Sequence, residues 1–320
     1  MIEVKNLVKR YSDVYAVDDI SFSVKTGEIV GFLGPNGAGK TTTMNILTGY
    51  LSSTSGTVLI GGVDINEKPI EVKKQIGFLP EQPPLYNDMT VYEYLSFVYD
   101  LKSCKLSKDK HLQEVAEVVK LIDVKDRLIR NLSKGYKQRV GIAAAIVGDP
   151  KIIIFDEPTV GLDPKQIIEV RNLIRTLGKN HTVILSTHIL SEVQAICNRI
   201  LVINNGKLIA DEKTSNLFSA LNQSLKFKVK VSGPQKEVYS LLRGLPGVTG
   251  VQETGVKELD AFTFIVEASN GIDIRKPMFK ALSAKGWPIM GLENTDGELE
   301  DVFIKLIDKD SGKKKKGDRN

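Results

Sequence analysis

The sequence contains little cysteine, and what it has is isolated. Cys104 and Cys197 are its two cysteines, and neither stands in a Cys-x-x-Cys or Cys/His spacing. Two isolated cysteines exclude a disulfide framework and a zinc site of the usual ligand spacing. This usage is typical of a protein that stays in a reducing compartment.

Long apolar runs are also missing. A membrane-spanning helix needs about 20 consecutive apolar residues, and the longest candidate, 140–148, stops at an Asp-Pro pair. Charged residues are frequent in 1–10, so we expect no signal peptide. Any role at a membrane would therefore depend on a separate membrane protein.

The excess of positive charge is small. Lys and Arg number 44 against 39 Asp and Glu, which gives a net charge of +5, and part of the excess lies in 313–316. This balance does not indicate a nucleic-acid-binding protein. We predict that 309–320 is a basic, disordered tail. The alternative is a tail that lies against an anionic membrane surface.

The chain does contain short apolar segments that alternate with amphipathic ones. The segments 29–33, 152–155 and 183–185 have the continuous apolar character of buried parallel strands. A helix is predicted between Asp163, which can cap it, and Gly178, which can end it. Antiparallel strands are predicted at 2–8, 20–24 and 57–60.

Residues 1–218 are therefore predicted to form an α/β domain with an antiparallel flank. Residues 219–308 follow the order strand, helix, strand, strand, helix, strand, which indicates a small ferredoxin-like α+β domain. Its elements are predicted at 225–231, 234–242, 248–253, 262–267, 274–285 and 289–293. A closing amphipathic helix is predicted at 298–307.

The strongest chemical signal is a glycine-rich loop between the strand 29–33 and a helix that begins near Gly39. Glycines let backbone N–H groups curl around a phosphate, and the helix N-terminus adds partial positive charge. Lys40 would reach the outer phosphates, and the Thr41 hydroxyl would bind Mg²⁺. The predicted ATP-binding residues of this loop are Gly34, Asn36, Gly37, Ala38, Gly39, Lys40, Thr41 and Thr42.

A second motif is the acidic pair that ends the strand 152–155. Asp156 and Glu157 follow that apolar run directly. Acidic pairs at strand ends are common and are often simply solvated, so the motif is weak alone. Together with the phosphate loop, it predicts that Asp156 binds Mg²⁺ and that Glu157 orients or deprotonates the attacking water.

With these motifs in this order, the first predicted domain resembles the ABC ATPase family. The run Leu-Ser-Lys-Gly-Tyr at 132–136 is similar to the family signature Leu-Ser-Gly-Gly-Gln, from which Lys134 and Tyr136 depart. The resemblance implies that Ser133 and Gly135 contact ATP held by a second ATPase subunit. The alternative is an ordinary turn before a helix.

Other positions match the family in the same order. Tyr11 resembles the aromatic residue that stacks on adenine, and Asp163 resembles the D-loop residue at the dimer interface, although it also suits a helix cap. His188 resembles the switch histidine that senses the γ-phosphate. His111 and His181 have no such match, and we predict that they lie at the surface.

One family position is open between two residues. Counted back from the Met-Thr-Val at 89–91, the place that the family usually fills with Gln falls on Glu81, and Gln82 is the alternative. A carboxylate there would bind Mg²⁺ or position water, but it would add negative charge beside the triphosphate. The resemblance also implies that 83–132 is a helical insert that docks on a transmembrane partner.

The resemblance implies an ATP-binding and ATP-hydrolysing subunit of an ABC transporter. It would act as a homodimer or heterodimer on a separate integral membrane permease, at the cytoplasmic face of the membrane, with ATP and Mg²⁺ and without nucleic acid. The runs 132–139 and 298–304 resemble subunits that serve ABC-2-type permeases, which favours export. The predicted catalytic residues are Lys40, Glu157 and His188.

Two alternatives belong to other classes. One is a soluble ABC-type ATPase that acts on nucleic acid or ribosomes, which the single phosphate loop and the lack of zinc spacing and sustained heptads disfavour. The other is a nucleotide sensor that does not hydrolyse ATP, which the intact catalytic set disfavours.

Overall fold

In a computed structural model, the chain divides into two compact units, Met1–Thr214 and a second one that begins at Ser215. The structure describes residues 1–216, 225–258, 260–269 and 272–294. The predicted boundary at 218, the closing helix 298–307 and the tail 309–320 lie outside the described residues. The predicted domain limits therefore stay predictions.

The first unit contains a mostly parallel central sheet and an antiparallel flanking sheet. Its strands are β1 (Ile2–Tyr11), β2 (Val14–Val24), β3 (Ile29–Leu33), β4 (Ser55–Ile60), β5 (Val63–Asp64), β6 (Ile76–Leu79), β7 (Ile152–Asp156), β8 (Thr182–Thr187), β9 (Arg199–Asn204) and β10 (Lys207–Lys213). The central order is β10-β9-β3-β8-β7-β6, with β10 antiparallel at the edge. The flanking order is β2-β1-β4-β5, antiparallel throughout. The predicted α/β core with an antiparallel flank is confirmed.

The helices of this unit cover the central sheet and form the segment between β6 and β7. They are α1 (Lys40–Leu47), α2 (Pro69–Lys73), α3 (Val91–Leu101), α4 (Lys108–Val118), α5 (Lys134–Ile146), α6 (Pro164–Leu177) and α7 (Leu190–Ile196). Every residue of β3, β7 and β8 is buried, which explains their unbroken apolar sequence. None of the helices among the described residues has the length and apolar character that a membrane span requires.

Helix α6 occupies the predicted segment and ends at Gly178 as predicted, although this glycine is not left-handed. The Asp163 carboxylate accepts a hydrogen bond from Gln166 N at 2.9 Å, as a helix cap does. Gly178 has a φ of −64°, so it is not in the left-handed conformation that favours glycine. A Cβ at Gly178 would lie 2.3 Å from Ile29 Cδ1, so a larger residue there would displace the Ile29 side chain on β3.

The second unit has the predicted ferredoxin-like order. Its described elements are β11 (Leu225–Ser232), α8 (Gln235–Arg243), β12 (Val248–Glu258), β13 (Ala261–Ala268), α9 (Arg275–Ala284) and β14 (Ile289–Asn294). The sheet order is β12-β13-β11-β14, antiparallel throughout. Phe227, Phe264 and Val266 on the sheet pack with Val238 and Met278 on the helices, which forms a core of its own.

Candidate active site

The carboxyl ends of β3, β7 and β8 lie at one edge of the central sheet, and the predicted motifs follow them there. They meet around a cavity of about 420 Å³. It is lined by Ala16, Asn36, Gly37, Gly39, Lys40, Thr41, Thr42, Glu81, Glu157, Val160 and His188. Ligands of open α/β sheets bind at this edge. The flanking hairpin also contributes, through Ala16, which the sequence alone did not indicate.

The glycine-rich loop has a backbone that residues with a side chain rarely adopt. Gly37 and Gly39 have φ values of 78° and 107°, and a Cβ at Gly39 would lie 2.3 Å from the carbonyl oxygen of Ala16. Gly34 and Ala38 do not line the cavity but pack inward, where a Cβ at Gly34 would lie 2.5 Å from Ile203 O. Among the described residues, no side chain caps the first turn of α1, so its N–H groups can receive an anion.

Lys40 and Glu157 form a buried pair in this cavity. Each is 6% exposed, and Lys40 Nζ lies 3.4 Å from Glu157 Oε1. The Lys40 ammonium also donates to Gly34 O at 2.9 Å and to Pro35 O at 3.2 Å. The positive charge is therefore held beside the loop that would receive phosphate.

Glu157 also contacts the predicted switch histidine. His188 Nδ1 lies 3.0 Å from Glu157 Oε2, so the carboxylate stands between an ammonium and an imidazole. Glu157 has a φ of 50°, a left-handed conformation that is costly for a side chain of this kind. Its N–H donates to Ser186 O at 3.0 Å, which helps to hold that conformation.

The residue before it, Asp156, is the group that most clearly suits a metal ion. It is 1% exposed, and neither carboxylate oxygen has a hydrogen-bond partner among the described residues. A buried carboxylate without a donor needs a compensating cation. Thr41 and Glu81 line the same groove as Asp156. Mg²⁺ takes one or two protein oxygens together with phosphate and water oxygens, so this donor set fits it.

That groove, of about 740 Å³, extends from Asp156 towards the helical segment. Its apolar wall includes Phe78, Tyr94 and Val98. Lys102 closes its far side, and its ammonium donates to Ala144, Ala145 and Val147 carbonyl oxygens at the end of α5, at 2.9, 3.1 and 2.8 Å. Burial lowers the pKa of Lys102 to about 8.

The two candidates for the open family position differ in location. Glu81 lines both the phosphate cavity and the groove, whereas Gln82 lines only the groove. The geometry therefore favours Glu81 as the residue that would approach the nucleotide.

Besides Gly34, Ala38 and Asp156, four predicted site residues lie outside the lining of the cavity. Ser133 caps α5 and accepts from Tyr136 N at 3.4 Å, and Gly135 is buried in the first turn of α5. Asp163 caps α6. Tyr11 ends β1 and is 48% exposed, and Lys9 Nζ lies 5.2 Å from its ring centroid. Within one chain these residues and the phosphate loop do not form a single site.

The prediction that the other two histidines lie at the surface is wrong for His111. It is 9% exposed, and its Nε2 accepts from Gly148 N at 2.9 Å. Burial lowers its pKa, so the neutral ring is favoured in that contact. His181 is 12% exposed, with Nδ1 2.7 Å from Pro150 O. Both histidines have structural contacts outside the cavity.

Comparison with known proteins identifies the family. Residues 17–160 match the ABC transporter family model. The linearmycin resistance ATP-binding protein LnrL of Bacillus subtilis is 32% identical over 96% of this chain and 98% of its own length. The chain belongs to the ABC transporter ATPase family. The bacitracin transport ATP-binding protein BcrA of Bacillus licheniformis is equally similar, 32% identical over 96% of this chain and 97% of its own.

Solved structures agree with this assignment. A dimeric ATP-binding cassette in a post-hydrolysis state with ADP and Pi has a TM-score of 0.62 and 28% identity. The match covers 67% of this ABC ATPase and 99% of that cassette. The predicted family, fold class and ATPase activity are confirmed: this ABC ATPase is the ATP-binding, ATP-hydrolysing subunit of a transporter. The named relatives favour transport over the nucleic-acid alternative.

Proposed function

We propose that this ABC ATPase binds MgATP between two ATPase subunits and drives export through a separate ABC-2-type permease at the cytoplasmic face of the membrane. One observation carries the paired arrangement. Ser133 and Gly135 are not among the residues that line the cavity around Lys40. A second subunit, identical or related, would supply them, so that each ATP contacts both subunits.

The proposed roles follow from the contacts of each residue. Lys40 and the N–H groups of the loop bind the β- and γ-phosphates of ATP, and Tyr11 stacks on the adenine. Glu157 accepts a proton as the water oxygen attacks the γ-phosphorus and the bond to the β-phosphate oxygen breaks. His188 orients that carboxylate and contacts the γ-phosphate. Thr41, Asp156 and Glu81 would hold Mg²⁺, which supplies charge neutralisation when bound.

The groove beside the site is the proposed docking place of the permease. Tyr86 is 50% exposed and packs edge-on against the groove residue Tyr94, with ring centroids 6.0 Å apart. An exposed aromatic residue beside an apolar groove suits the core of a protein interface. The predicted insert 83–132 contributes both aromatics. Movement of the permease segment would thus reach Asp156 and Glu81 directly.

Affinity purification of the full chain from membranes in a mild detergent tests this proposal. We expect an unfused multi-spanning protein to co-purify in stoichiometric amount, and Tyr86→Ala to lose it while keeping ATP binding. Phe279→Ala is the matched control, because Phe279 is 60% exposed in the second unit, outside the groove. Recovery of the ATPase with RNA or DNA and without a membrane protein would overturn the proposal and favour the alternative function.

A further inference from the structure

A buried carboxylate lies behind the active site and outside the cavity. Glu192, on α7, is 1% exposed. Thr159 Oγ1 donates to its Oε1 at 2.5 Å, and Thr187 Oγ1 donates to its Oε2 at 2.9 Å. The single charged neighbour that the described residues place within ion-pair distance is Arg171, with its NH2 nitrogen 3.7 Å from Oε1. Glu192 therefore interacts mainly with two hydroxyl groups.

Those hydroxyl groups belong to the two segments that carry the reacting pair. Thr159 follows Glu157 by two positions, and Thr187 immediately precedes His188. The Thr187 hydroxyl also accepts from Ile189 N at 3.1 Å, which fixes the direction in which it donates. One carboxylate thus joins the ends of β7 and β8 just behind the contact between Glu157 and His188.

Among the described residues, Glu157 is the side chain that forms a hydrogen bond with the His188 ring. The His188 side chain is 41% exposed, whereas the Glu157 side chain is 7% exposed. The 3.0 Å contact of Nδ1 with Glu157 Oε2 therefore depends on where the backbone places the Cα of His188. The segment that carries Glu157 has a further contact, because Gln138 Nε2 donates to the carbonyl oxygen of Pro158 at 2.8 Å.

Stability alone does not account for a charge at this position. Removing a carboxylate from water is costly, and a well-packed apolar side chain is often as stable or more stable there. We propose that Glu192 is a positioning residue for hydrolysis, which holds Thr159 and Thr187 so that Glu157 and His188 stay aligned. The inference rests on the proposed catalytic roles of those two residues.

A matched pair of variants on β8 tests this role. Thr187→Val removes the hydroxyl that donates to Glu192. Thr182→Val removes a buried hydroxyl at the opposite end of the same strand, where Thr182 Oγ1 accepts from Gly27 N at 3.0 Å. Both variants should lower the Tm. Only Thr187→Val should lower kcat, by about tenfold or more, with KM for ATP changed less than about twofold.

Two further variants distinguish an effect on the position of the catalytic residues from an effect on folding. Thr187→Ser keeps the hydroxyl and should restore most of kcat, and Glu192→Gln, which keeps the volume, should reproduce the loss in kcat. Equal kcat in the Thr187→Val and Thr182→Val proteins would overturn the proposal. So would a Thr187→Val protein whose ATP affinity falls in parallel with kcat.

The Glu157→Gln background distinguishes this inference from the proposed function. In that background, Thr187→Val should lower kcat no further, because both changes act through one group. A further tenfold loss there would overturn the positioning role and leave the base assignment intact. If Glu157→Gln by itself keeps full turnover, the proposed catalytic role fails, whatever Thr187→Val does.

Discussion

Replacing Asp156 by Asn should make the protein more stable in the absence of Mg²⁺. Asp156 is 1% exposed, and its two carboxylate oxygens have no hydrogen-bond partner among the described residues. A buried charge without a partner destabilises the folded state more than a neutral amide of the same shape. The substitution keeps the volume at the end of β7 and removes the charge.

The size of the effect follows from that burial. An unsatisfied buried polar group costs about 1–3 kcal/mol and a charged one more, so removal of the charge should stabilise by about 2 kcal/mol. For a unit of this size, that gain corresponds to a Tm rise of roughly 4–8 °C. MgATP at about 100 times its Kd stabilises the wild-type protein by about 2.7 kcal/mol. Without this Mg²⁺ ligand, the variant should keep less than about 0.7 kcal/mol of the gain.

The order of the two Tm values should therefore reverse with the ligand. Thermal unfolding would be followed in EDTA and in excess MgATP for the wild-type protein, Asp156→Asn and the control Asp88→Asn. The Asp88 side chain is 90% exposed, so its replacement should change stability by less than about 0.5 kcal/mol. A lower Tm for Asp156→Asn than for the wild type in EDTA would refute the argument, as would an equal gain from MgATP.

Two other predictions concern the base and the groove. Glu157→Gln should lower kcat about 10²–10⁴-fold and leave ATP binding intact, because the amide fills the same space but accepts no proton. Phosphate release measures kcat, and calorimetric titration measures ATP binding. Full turnover in the variant would exclude Glu157 as the base. Burial lowers the pKa of Lys102 from 10.5 to about 8, so the unfolded chain binds more protons between those values. The stability of the wild type relative to Lys102→Met should be lowest below pH 8 and rise towards pH 10.5. A Tm difference that falls over that range would contradict this.

The parts of the fold and site that the sequence predicted are those that depend on local chemistry. The glycine-rich sequence of the loop predicts positive φ at Gly37 and Gly39. The unbroken apolar sequences of β7 and β8 predict that both strands are completely buried. The cap at Asp163 requires only its own first turn. The choice between Glu81 and Gln82 was open because adjacent residues share every local pattern. Only the folded chain distinguishes which of them lines the phosphate cavity.

The parts that the sequence did not predict depend on contacts between distant residues. From the sequence alone, Glu192 has the pattern of an ordinary polar residue on an amphipathic helix. Its burial depends on a contact with Thr159, 33 positions away. His111 is buried through a contact with Gly148, 37 positions away. The burial of Lys102 likewise depends on distant residues, because the carbonyl oxygens that it contacts lie at the end of α5, 42 or more positions away. No periodicity within one element carries this information.

Two adjacent residues at the end of β7 have features that destabilise the fold, which indicates that this position is functional. Asp156 has a buried carboxylate that accepts no hydrogen bond from the described residues, and Glu157 has a left-handed backbone. Each costs about 1–3 kcal/mol of stability. The strand β7 can bear that cost because it is fully buried between β6 and β8. A bound cation would satisfy the first residue, and the turn imposed by the second directs its carboxylate towards Lys40 and His188. Asp156 should therefore be a position where a substitution raises stability in the absence of Mg²⁺ and abolishes hydrolysis together.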